Sequence, residues 1–138
     1  MNQTVDYRLV FEIQLKLGYN TEHKAELALS RVLYMLKNTL SPSQRELMIR
    51  KLPMNLLIEL VSCQKTDQST DISRLDEFVK HLLCYELNQP HRIFYSEMDV
   101  LRASVTILGA LDRKYHISDF LPYPLSEDMK NATLDFIY

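Results

Sequence analysis

A chain of 138 residues, 46% apolar and 25% charged, has the size of one domain and the composition of a folded protein; disordered and fibrous classes are excluded, and neither disulfides nor a structural metal is needed. A formal charge of -2 supplies no net pull toward phosphate backbones or anionic lipid, so neither nucleic acid nor a membrane is expected as partner. Two glycines and five prolines are too few for a turn-dense β architecture, which leaves an all-α fold as the expectation.

Leu9, Val10, Ile13 and Leu17 follow the spacing of a half-buried first helix, and Gly18 stands where a left-handed cap ends it. Asn20 or Thr21 then caps a second helix with the stripe Ala25, Ala28, Leu29, Val32, Leu33, Leu36 and Leu40. Ser41, Pro42, Ser43 and Gln44 read as a capping box with proline in the first helical position, opening a short third helix. Pro53 breaks it, and Met54, Leu57, Leu60 and Val61 restart a fourth stripe. The polar run from Ser62 to Thr70 is a linker, after which Asp71 or Ser73 is expected to cap a helix carrying Leu75, Phe78, Val79 and Leu82. Asn88, Gln89 and Pro90 end that helix. Ser96 with Asp99 caps the next, whose stripe is Leu101, Ser104, Val105, Leu108, Leu111 and Tyr115, and a last helix starts near Ser126 with Met129, Ala132 and Phe136 on one face.

The leucine frame repeats. Leu9 matches Phe78 and Ile13 matches Leu82 at an offset of 69; Leu33 matches Leu108 and Leu36 matches Leu111 at 75; Leu52-Pro53 matches Leu121-Pro122 at 69 again. Residues 1–138 are therefore expected to form a single compact bundle of about seven to eight helices. It is built from two diverged repeats, one over about 5–62 and one over about 71–138, joined by a linker at about 63–70. The second copy is expected to lack most of the third helix and to carry a longer first loop, which points to Asn88–Tyr95 and His116–Pro124 as the places where function departs from the scaffold.

An opening amphipathic helix ending in glycine, followed by "RVLYMLKNTLSPSQ" and "RKLPMNLLIEL", resembles the bacterial domain-of-unknown-function family numbered 2267. The resemblance runs from Asp6 to Leu60 and, more loosely, from Leu75 to Met129. It implies an all-helical fold of two such units, each with a leucine-proline step, and lends no catalytic residues because the family has no assigned activity.

Cys63 and Cys84 are too few for a disulfide framework and suit a reducing, cytoplasmic setting; Met1–Val10 lacks the pattern of a secretory signal, and the longest uncharged apolar stretch, Ala103–Leu111, is nine residues against about 20 for a membrane span. His81 and Cys84, three apart on one helix, with His91 or His116, are the one set with zinc-ligand chemistry; the plainer reading is a buried thiol beside a surface histidine, and no metal or other cofactor is expected. Asp67, Ser69, Asp71 and Ser73 open like a calcium loop, but Ile72 replaces the turn glycine and Phe78 the bidentate glutamate. Arg45, Arg50 and Lys51 invite a helix-turn-helix comparison, although cations belong in the last turn of a helix without any ligand. Glu22 with Glu26, and Asp76 with Glu77, are carboxylate pairs on polar helical surface; no catalytic residue is assigned, and an enzyme is the less favoured reading. The apolar ending, with Met129, Phe136, Ile137 and Tyr138, is the candidate interface for a homodimer or a protein partner. Two functions follow: a non-catalytic interaction or oligomerisation module, or a small-ligand or metal-binding protein, enzyme included, with its site between the two helical units.

Overall fold

The computed structural model describes residues 7–52 and 72–137, with the side chains of 7 and of 133–137 outside the description. Among these residues there are six α-helices and no strand: α1 (Tyr7–Leu17), α2 (Glu22–Thr39), α3 (Pro42–Lys51), α4 (Leu75–Leu87), α5 (Glu97–Tyr115) and α6 (Tyr123–Ile137), with a 3-10 turn over Ile117–Asp119. The all-α class is as expected, but the count is six where seven to eight were expected. The helix read from Met54 to Val61 lies outside the described residues, and a single 3-10 turn lies between α5 and α6.

Local chemistry sets the boundaries. Gly18 takes a φ of 68°, the left-handed geometry that a side chain resists, and turns the chain from α1 toward α2. The Thr21 hydroxyl accepts from the Lys24 amide at 3.2 Å, and at α3 both halves of the capping box are made, Gln44 N donating to Ser41 Oγ and Ser41 N to Gln44 Oε1. The start of α4 differs from expectation. Arg74 is its N-cap, and the carboxylate of Glu77 reaches back to the amides of Ser73 and Arg74. Those amides hold Glu77 below the usual carboxylate range. Helix α6 starts at Tyr123, three residues before the expected Ser126, because Pro124 is tolerated in a first turn where no amide donor is needed.

Helix α5 is the axis of the bundle, packing on α1, α2, α4 and α6. Val100, Ala103, Val105, Ile107, Leu108, Ala110 and Leu111 are all buried, so it is apolar around most of its circumference, as a helix enclosed by others must be. Leu9, Ile13, Leu29, Leu33, Leu36, Phe78, Leu82 and Phe94 complete the interior from α1, α2, α4 and the loop beyond α4. Met129, read from the sequence as part of an interface, belongs to this core at 4% exposure. Helix α3 is peripheral: Met48 is buried, Arg45 Nε donates to the Lys37 carbonyl at 3.0 Å, and Lys51 pairs with Asp119 of the 3-10 turn.

Candidate functional site

Among the described residues two charged side chains are enclosed in the core. Arg31 of α2 is 8% exposed and Glu86 of α4 is 0% exposed. Arg31 Nη1 donates to both carboxylate oxygens of Glu86, at 2.5 and 2.6 Å, and Nη2 donates to the His91 carbonyl at 2.7 Å. Glu86 Oε2 also accepts from the amides of Ile93 and Phe94, the latter at 2.9 Å. An ion pair taken out of water is tolerable only when its remaining hydrogen-bonding capacity is filled, and here the filling groups are three backbone groups of the loop between α4 and α5. The pair thus fastens an irregular segment to two helices. Phe94, 0% exposed, anchors the same segment by its side chain. Beside the pair, the rings of Tyr34 and Tyr85 stack at 4.3 Å between centroids, joining α2 to α4 by a second contact.

The anchored loop forms one wall of a small cavity of about 210 Å³ beside the corner between α1 and α2, lined by Leu17, Gly18, Tyr19 and Lys24 on one side and Ile93, Tyr95, Asp99 and Arg102 on the other. The Lys24 ammonium lies over the Tyr19 ring, 4.7 Å from its centroid. Burial first, and the Asp99 carboxylate second, push the Tyr19 hydroxyl up to about 12, with Arg102 acting in the opposite sense. The hydroxyl is therefore a proton donor throughout the physiological range. Because the folded state holds this proton more tightly than the unfolded one, the stability it contributes is complete below the ordinary tyrosine pKa of 10.0 and is lost as pH rises toward about 12. The tyrosinate absorbance of wild type minus that of Tyr19→Phe is expected to show one group ionising near pH 12; ionisation of that group near 10.0 would contradict the burial of the hydroxyl.

A larger open groove of about 610 Å³ runs between α4, α5 and α6. Leu75, Val79, Leu101 and Ala132 give it apolar walls, and Met98 stands at its edge with 56% of its surface exposed. Arg74 and Asp128 bridge one end at 2.8 Å, and Asp128 also accepts the Leu75 amide at 3.1 Å, so α6 caps the start of α4. Asp76 and Glu97 on the rim sit in the first turns of α4 and α5, where the helix dipole favours carboxylates, and neither has a cationic partner among the described residues.

His81, Cys84, His91 and His116 are all exposed, and among the described residues no three His, Cys, Asp or Glu side chains gather where they could hold a metal. His81 and Cys84 do share α4, but Cys84 is at the surface rather than buried beside a surface histidine. His116 serves the backbone, ending α5 at a φ of 56° with its amide donating to Asp112. The side chains of Phe136 and Ile137, and Tyr138 altogether, lie outside the described residues. Of the basic residues near α3, Arg45 and Lys51 are engaged in intrachain contacts, leaving Arg50 in the last turn. No described helix is long and apolar enough to cross a membrane.

The class that fold and site define is an all-α helical bundle with an irregular loop locked across its middle. Comparison with protein-family models and with curated proteins finds no match for this chain. The likeness to family 2267 is carried by the quoted residues alone.

Proposed function

We propose that this protein is a non-catalytic interaction module whose groove between α4, α5 and α6 docks an amphipathic helix of another protein, apolar along one face and flanked by lysine or arginine. The observation that carries this reading is the groove itself: apolar walls and a half-exposed methionine beside two carboxylates that have no cationic partner among the described residues. Methionine adapts to irregular apolar partners, and a helix laid in such a groove presents its side chains at three- and four-residue spacing. The two-repeat origin and the kinship with family 2267 remain part of this reading, with the leucine frame as scaffold and the departures from it as the working surface. The cytoplasmic assignment, likewise, rests on the thiol content.

The test uses a synthetic helical peptide with leucines on one face and lysines on its flanks, followed by fluorescence anisotropy. Saturable binding is expected, weakened about tenfold by Asp76→Lys together with Glu97→Lys, since each exposed charge pair contributes up to about 1 kcal/mol. The reading fails if binding is absent or indifferent to charge reversal. A mass that rises with concentration in the absence of peptide would replace the foreign helix by a second copy of the chain.

A further inference from the structure

The cavity beside the α1–α2 corner has more donors than the fold uses. Asp99 is employed by its own helix: its amide donates to Ser96 Oγ at 3.2 Å and its Oδ2 accepts from the Tyr95 amide at 3.0 Å, closing the start of α5. Its presence in the lining is thereby explained. No such role falls to the Tyr19 hydroxyl or the Arg102 guanidinium, which have no hydrogen-bond acceptor among the described residues, and the Lys24 ammonium has only the Tyr19 ring. Two cations and a neutral hydroxyl line one space from the α1–α2 corner and from α5, against the single carboxylate of Asp99 that the start of α5 already engages, and such a surplus of donors and of positive charge matches an oxyanion. Leu17, Ile93 and the Tyr95 ring supply the apolar part of a lining that is otherwise polar, so the oxyanion is expected on a small carbon body. At about 210 Å³ the space equals some seven waters of ~30 Å³ each, which suits a short-chain or single-ring acid and excludes a nucleotide.

We propose that this cavity is a binding site for a small organic carboxylate, the acid group held by Lys24, Arg102 and Tyr19 and the body resting against Leu17, Ile93 and Tyr95. The wall that carries Ile93 and Tyr95 is the segment that the Arg31–Glu86 pair locks in place, so the site is formed before its ligand arrives and little ordering cost falls on binding. The site is separate from the groove of α4, α5 and α6, with which it shares no lining residue.

Backbone amide shifts of the full chain, titrated with butyrate, benzoate and inorganic phosphate, test the assignment. Saturable shifts at Gly18, Tyr19 and Tyr95 are expected with the two carboxylates, about tenfold weaker in Lys24→Gln and again in Arg102→Gln, as befits loss of one charge-assisted hydrogen bond each. Arg102 is exposed and Lys24 partly so, and unchanged shifts elsewhere in the spectrum confirm that both variants fold. Absence of saturation, or affinity that survives the double replacement, overturns the site. Phosphate saturating the same amides as tightly as benzoate overturns the carboxylate assignment.

Discussion

Glu86→Ala is expected to lower the free energy of unfolding by about 3–5 kcal/mol, a large share of the ~5–15 kcal/mol that holds a domain of this size together, and to reduce Tm by roughly 10–15 °C. The replacement leaves the Arg31 guanidinium buried without its counter-ion and deprives the amides of Ile93 and Phe94 of their acceptor. The more informative variant is Arg31→Met combined with Glu86→Leu. Where a buried pair serves only itself, apolar replacement of both partners is neutral or stabilising. Here the buried amides of Ile93 and Phe94 lose their acceptor as well, and each orphan costs about 1–3 kcal/mol, while the part-buried His91 carbonyl exchanges its donor for water. The double variant should therefore stay well below wild type in chemical denaturation. Recovery to wild-type stability would show that the loop needs no anchor.

Phe94→Ala is expected to cost about 3–5 kcal/mol. Its ring is fully buried and its own amide is tied to Glu86, which restrains the chain from sinking into the space the ring vacates, so the upper part of that range applies. The same change relaxes the wall formed by Ile93 and Tyr95. Carboxylate affinity should fall along with stability, whereas the groove, which that loop does not line, should keep its affinity for a basic helix. Denaturant titration and the two binding assays separate these effects; equal losses at both sites would contradict the division.

The helical frame was legible because caps and periodicity are local. Gly18, Ser41 with Gln44, and Ser96 with Asp99 act where the sequence places them, since each satisfies backbone groups within four residues of itself. The start of α4 departs from a cap by Asp71 or Ser73 because the Glu77 carboxylate reaches back to the Ser73 and Arg74 amides, and Asp128, 53 residues on, accepts the Leu75 amide. Met129 was read as interface because its stripe near the end of the chain had no visible partner; α5, enclosed on four sides, supplies one. The buried pair does have a signature in the sequence. Glu86 continues the stripe of Leu82 one helical turn on, and Arg31 lies between Ala28 and Met35 on a face that is otherwise apolar. A charge in a core register implies an opposite charge in another, but which helix supplies it depends on packing that no local pattern encodes. Ile93 and Tyr95 of the cavity wall fall within Asn88–Tyr95, one of the two stretches that depart from the leucine frame, while Tyr19, Lys24 and Arg102 look individually like ordinary surface residues.

The central claim is that the second half of the bundle presents a docking groove for a basic amphipathic helix, and amide-shift mapping with the leucine-lysine peptide tests it most directly. The largest perturbations are expected at Val79, Met98, Leu101 and Ala132. Perturbations centred instead on Phe11 and Leu15, the exposed apolar pair of α1 at 55% and 64%, would contradict it.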